Sequence, residues 1–220
     1  MKKIFVATVL FCILLMGQAA AFTFEKLNPE DIFTPEIIEQ EKVSDWAKDE
    51  IELARAAGLI TVHTNAYMTQ NITRFQFAEL VVNLTEKIAG REITPAADTT
   101  FTDSKETAVL KAYAAGIVDG VGNHQFAPGT TTNREQIAAM LYRAIIYIQT
   151  ETDQQLAPKA ADIAKFTDKA KVSAWAVQGV GTLAANGIMS GTSATTLSPK
   201  ASCTIEQSIL LVYRLYENTK

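Results

Sequence analysis

Apolar positions recur along this chain with helical spacing, and the same spacing returns three times. Phe77, Leu80, Val81 and Leu84 are matched by Ile137, Met140, Leu141 and Ala144, and again by Ser208, Leu211, Val212 and Leu215. Steps of three, one and three residues place each set on one stripe of a helix. Each stripe follows the same polar start: Thr73-Arg74-Phe75-Gln76, Asn133-Arg134-Glu135-Gln136 and Thr204-Ile205-Glu206-Gln207. The Thr or Asn oxygen can accept from an early backbone N–H while the Gln three residues on reaches back, which is a capping box. Three helices with one apolar stripe each are most economically packed as a threefold-like bundle.

A shorter helix is expected before each of these. In the first, Trp46, Ile51, Leu53, Ala54 and Ala57 form the predicted apolar face, and Gly58 follows as a left-handed stop, as Gly116 and Gly187 do in the later copies. Ten residues beyond these glycines come Met68, Phe126 and Leu197; at twelve come Pro128 and Pro199. The cap of copy one arrives two residues early, which implies a shortened loop. Val43-Ser44-Asp45-Trp46-Ala47 resembles Val172-Ser173-Ala174-Trp175-Ala176, whereas Ser104 replaces the Trp in copy two. Phe101-Thr102-Asp103 and Phe166-Thr167-Asp168 mark the starts of copies two and three. The chain therefore reads as all-α, with helix-loop-helix copies at 43–88, 101–148 and 166–217 joined by connectors at 88–100 and 149–165, the second an exposed one.

The N-terminus reads as an export signal. Lys2 and Lys3 precede an apolar run from Ile4 to Met16, and Ala19-Ala20-Ala21 supplies the small residues of a cleavage site. The run is shorter than the ~20 residues a membrane span needs, so residues 1–21 are assigned to a signal peptide and no transmembrane anchor is expected after cleavage. Residues 22–42 form a polar lead-in. Taking Lys2 and Lys3 from the 20 basic residues leaves 18 against 24 acidic ones, a net charge of −6. No basic stripe is present to attract nucleic acid. Cys12 goes with the signal and Cys203 remains alone, so packing rather than a disulfide must stabilise the fold.

The ordered set of a Phe-x-Asp opening, a Trp-Ala helix start, a Gly-Ile-x-x-Gly turn, Phe-x-Pro and a Thr-Arg-like cap resembles the S-layer homology repeat over about Val43 to Tyr216. The resemblance implies a pseudo-threefold helical prism around a central helical bundle, with grooves between repeats. It also implies noncovalent attachment to a cell-wall glycan, either a secondary wall polymer, often with pyruvylated sugars, or modified peptidoglycan, at the cell surface, cell wall or S-layer. A pyruvate carboxylate suits an Arg fork near a helix N-terminus, and a Trp face suits a sugar ring. Carried over residue by residue, Arg74 and Arg134 become the carboxylate binders, with Ile205 in the third Arg position. Trp46 and Trp175 match the family Trp, Asp103 and Asp168 its acidic position, and Gly120 and Gly191 its turn glycine, where a side chain would obstruct a ligand. The expected centre is the groove containing Arg134 and Gly120, with Arg74 contributing a second. The family's cap Glu is Gln in all three copies.

Other roles compete for these residues. A surface Arg pairs readily with a neighbouring carboxylate, Trp46 and Trp175 can pack the first helix on the second, and the simpler role of Asp103 and Asp168 is to cap the first helix. A catalytic reading has little support: His63 and His124 lack partners at metal-ligand spacing, and no nucleophile elbow or phosphate loop occurs. No cofactor or metal is expected. The alternative to a glycan-binding module is a structural or assembly protein of the cell surface that keeps the fold but has lost its glycan site. That reading leaves room for an envelope protein partner or self-association.

Overall fold

The computed structural model describes residues 42–219. The signal peptide, Cys12 and the lead-in up to residue 41 lie outside the described residues. Those described form α-helices joined by turns and short 3-10 segments, with isolated β-bridges. The helices are α1 (Lys48–Ala56), α2 (Arg74–Ala89), α3 (Thr107–Ala114), α4 (Arg134–Glu151), α5 (Val177–Ala185) and α6 (Ile205–Glu217).

Local sequence dictates the helix ends. Each of α2, α4 and α6 opens with a reciprocal capping box: Thr73, Asn133 and Thr204 accept from the backbone N–H of Gln76, Gln136 and Gln207, whose Oε1 atoms accept from the cap N–H in return. The short helices end at glycines with positive φ, as at Gly58 (φ 68°), followed by a closing bond from Leu59 N–H to Ala54 O of 3.0 Å. Left-handed backbone at that point is nearly free for glycine and strained for other residues.

The predicted stripes form the core. Phe77, Leu80, Val81 and Leu84 are buried, as are all eight matching residues on α4 and α6. Ser208 keeps its place in the stripe by donating its hydroxyl to Thr204 O at 2.8 Å, so its polarity costs little when buried. Helix α2 packs against both α4 and α6. Burial on α1 departs from expectation: Ile51 and Ala54 are buried, but Leu53 is 52% and Trp46 59% exposed.

The copies are joined in a cycle. Helix α1 packs on α6, α3 on α2, and α5 on α4, so each short helix lies against the long helix of the preceding copy. Backbone bonds repeat the same order: Ile72 N–H donates to Cys203 O (2.9 Å), Cys203 N–H to Thr132 O (3.3 Å) and Thr132 N–H to Ile72 O (3.1 Å), closing a three-membered ring. Around it, Phe75, Glu135 and Glu206 donate their N–H groups to Pro128, Pro199 and Met68 carbonyls of the following copy. Two of the four donors that each helix start leaves unsatisfied thus find partners across copies, through residues 74 and 75 and their counterparts. This register also corrects one sequence alignment, because Met68 stands where Pro128 and Pro199 stand, not where Phe126 does. Tyr67, like Ala127 and Ser198, adopts positive φ just before it. The connector assigned to 149–165 begins after Glu151, and Leu156 inserts from it into the core, so it is not exposed throughout.

Candidate functional site

The cyclic packing decides which predicted residues meet. Arg134 does not face Gly120 of its own copy. Its Nε donates to Leu197 O at 2.8 Å and its Nη2 to Ser190 O at 2.6 Å, both in the loop of copy three. Arg74 does the same one copy earlier, with Nε to Phe126 O (2.9 Å), Nη2 to Asp119 O (3.1 Å) and its guanidinium 4.7 Å from the Phe126 ring centre. The groove drawn from sequence around Arg134 and Gly120 is therefore two grooves: Arg134 joins Ser190 and Gly191, while Arg74 joins Asp119 beside Gly120. Arg134 is only 8% exposed, and desolvation holds the Arg74 guanidinium below its ordinary value.

Two cavities lie at equivalent places in the cycle. Between copies three and one, about 220 Å³ is lined by Trp46, Arg134, Ser190, Gly191, Thr192, Gln207 and Arg214, among others. Here an exposed indole, a carbonyl-bound guanidinium and a second guanidinium face one space. Arg214 is held by Glu50 through bonds of 2.8 and 2.7 Å, which raise its affinity for its proton. Between copies one and two, about 480 Å³ is lined instead by Thr61, Glu79, Asn83, Glu86, Glu106 and Lys111, with Phe75 and Val82. Asn83 occupies the place of Arg214, and Ile205 that of the bracing Arg, so this groove lacks both arginines and carries three carboxylates. Between copies two and three, Arg143 completes the series, pairing with Asp119 at 2.8 Å.

Asp103 and Asp168 do not cap the short helices. Asp103 accepts from the N–H groups of Phe126 and Ala127, and Asp168 from Leu197 and Ser198, all at 2.8 Å. Each clamps the loop in its own copy where Ala127 or Ser198 turns through positive φ. These bonds, first from Phe126 and from Leu197, hold both carboxyls below their ordinary value of 3.8. The two turn glycines are likewise required by packing within the copy. A Cβ on Gly120 would stand 2.8 Å from Gln125 O and 3.2 Å from the Phe101 ring; one on Gly191 would stand 2.5 Å from Thr196 O and 2.9 Å from the Phe166 ring. Gly191 also lines a cavity, so its lack of a side chain keeps that space open as well.

Trp46 and Trp175 are both 59% exposed, too open for packing of one helix on another to be their main role. Sequence reading missed four residues of this region. Glu135 and Glu206, nearly fully buried, each take two bonds from a serine near a Trp. Arg143 and Arg214 lie ten residues beyond the cap in copies two and three, a recurrence visible in the sequence once the caps are aligned.

A ring of helix-loop-helix repeats with polar grooves between them defines a repeat-built module. Comparison with known proteins makes the class specific. The S-layer homology domain profile matches residues 100–138 and 165–204, which marks these two segments as S-layer homology repeats. It is 28% identical over 187 residues to a surface-layer 125 kDa protein of Lysinibacillus sphaericus, covering 80% of this chain and 14% of that one. It is 23% identical over 197 residues to an exoglucanase of Acetivibrio thermocellus, covering 87% and 17%. An amylopullulanase of Thermoanaerobacterium thermosulfurigenes is 25% identical over 180 residues, covering 80% and 9%. The chain thus spans less than a fifth of the length of each of these relatives. S-layer homology domains are non-catalytic modules that anchor proteins to the cell wall, and the chain is a cell-surface protein. No helix among the described residues is long and apolar enough to cross a membrane.

Proposed function

We propose that this chain attaches noncovalently to an acidic cell-wall glycan, that residues 43–88 serve as a third S-layer homology repeat, and that the three copies act as one pseudo-threefold prism. The observation that carries the reading is the groove between copies three and one, where Trp46, Arg134 and Arg214 line one cavity of about 220 Å³. A sugar ring would lie on the indole face, while the guanidinium groups draw in a carboxylate. Gly191 leaves room beside them. The groove between copies one and two, without either arginine and with Glu79 and Glu106 beside the Lys111–Glu86 pair, disfavours the same ligand.

Co-sedimentation with cell-wall sacculi, before and after extraction of their secondary polymer, tests the reading. Binding that is lost on extraction and weakened about tenfold by Trp46→Ala supports a polymer-binding groove; a tenfold change corresponds to about 1.4 kcal/mol, the scale of one aromatic contact. Binding that survives extraction points to peptidoglycan.

A second reading, of a structural surface protein without glycan binding, is favoured by one observation: Arg74 and Arg134 both spend two donors on backbone carbonyls of the next copy. Absence of binding to either form of the sacculi would select it.

A further inference from the structure

We propose that Glu206 and Glu135 are positioning residues, each presenting the tryptophan of the following repeat to its groove through a serine two residues before it. The proposal rests on the glycan-binding reading for its purpose, and on the geometry below for its content.

Glu206 is nearly fully buried at the start of α6, and its two carboxylate oxygens take separate bonds from one residue of copy one: Oε2 from Ser44 N–H at 3.0 Å and Oε1 from Ser44 Oγ at 2.8 Å. Ser44 then begins a turn that closes by a bond from Ala47 N–H to Ser44 O of 2.9 Å. Ala47 has no exposed surface. Trp46 therefore sits between two fixed points, and its indole remains exposed on the wall of the cavity that Arg134 and Arg214 share. A side chain open to solvent on that scale gains little orientation from packing, so the orientation must come from its backbone.

The same device recurs one copy away. Glu135 takes Ser173 N–H and Ser173 Oγ, both at 3.0 Å; Ala176 N–H closes the turn onto Ser173 O at 2.8 Å; and Trp175 is left as exposed as Trp46. Lys200 adds an ion pair to Glu135. At the third junction the equivalent position is Phe75, and copy two there has neither the serine nor the tryptophan. Glutamate, serine and tryptophan are present together at two junctions and absent together at the third. A carboxylate needed only to stabilise a helix start would have no reason to follow the tryptophan. Two bonds to a carboxylate that is itself desolvated also hold more firmly than neutral ones.

The chain has two tryptophans, so Trp175→Phe leaves Trp46 as a single reporter. In that background we expect Ser44→Ala and Glu206→Gln each to lower the steady-state anisotropy of Trp46 emission without ligand, and Ser44→Thr, which keeps the hydroxyl, to restore it. Sacculus binding should weaken in Ser44→Ala by several-fold, and Ser44→Ala added to Trp46→Ala should weaken it no further than Trp46→Ala alone. In the reciprocal Trp46→Phe background, Glu206→Gln should leave the Trp175 signal unchanged while Glu135→Gln lowers it, which separates positioning from general loosening. Should Glu206→Gln fail to fold, Ser44→Ala decides alone, because it removes a hydroxyl from a partly exposed residue. Unchanged Trp46 anisotropy in Ser44→Ala overturns the proposal. A fall in anisotropy in a protein whose parent does not bind sacculi leaves the positioning standing and removes the glycan reading instead.

Discussion

At the scale of single residues, side chains chosen for ligand chemistry turn out to be engaged first with the fold. Arg134 bridges two carbonyls of the next copy while nearly buried. Arg134→Ala should therefore cost on the order of 3 kcal/mol in chemical denaturation, since hydrogen bonds to charged groups contribute about 1.5–3 kcal/mol each and two carbonyls are left without their donor. Arg134→Lys should recover only part of that loss, because an ammonium cannot reproduce the planar fork. A wall-binding defect in Arg134→Ala has to be read beside its stability; Trp46→Ala, on an exposed side chain, is the cleaner probe. The aspartates make a second residue-scale prediction. Asp103 and Asp168 have folded-state values held below 3.8 by loop N–H groups. Groups depressed on folding contribute stability that is fully present above the unfolded value and lost as pH falls through the folded one. The stability gap between the parent protein and Asp168→Asn should accordingly be constant above about pH 5 and close below about pH 4. A gap independent of pH down to 3 would show that the carboxylate charge has no part in clamping the loop.

At the scale of elements, what lies within a few residues was legible in the sequence and what joins distant segments was not. The three capping boxes, the glycine stops and the three four-residue stripes were correctly read, because each depends on spacings of one to four positions. Asp168 was misassigned because its partners, Leu197 and Ser198, lie about thirty residues away while a helix start lies next to it. Arg134 was grouped with Gly120 of its own copy because similarity between copies reveals equivalence and says nothing of contact. The displaced register of Met68 has the same origin: matching from Gly58 fixes one end of the loop, whereas the backbone bond from Glu206 fixes the other. Glycines give a test at this scale. Gly187→Ala places a Cβ in open space at φ 74° and should cost about 1 kcal/mol of backbone strain. Gly191→Ala meets Thr196 O at 2.5 Å, Ser193 O nearer still and the Phe166 ring at 2.9 Å, so the loop has to move and the loss should exceed that of Gly187→Ala. Thermal midpoints of the two variants measure the order directly.

At the scale of the whole repeat array, closure is the property that distinguishes this fold from an open stack. In an open array each repeat touches only its neighbours in sequence, and an end repeat can be removed with loss of one interface. Here α1, the first described helix, packs on α6, the last, and Arg214 of α6 holds Glu50 of α1 through two bonds. The backbone ring through Ile72, Thr132 and Cys203 likewise needs one residue from every copy. Removing residues 205–219 therefore strips the partner of α1, one face of α2, and the carboxylate that holds Ser44, all at once. The expected result is loss of the single cooperative unfolding transition, with α1 and α2 exchanging their amide protons rapidly, and not an intact fragment of copies one and two. Hydrogen exchange on the truncated chain checks this: retained protection in α1 would mean that copy one is held by its own loop and long helix, and that the cycle adds order to the grooves without being needed for the fold. Cooperative closure also bears on attachment, because the groove that holds Trp46, Arg134 and Arg214 takes residues from all three copies. A site assembled in that way exists only when the ring is closed, so truncation should abolish sacculus binding even though every residue of copy two is still present.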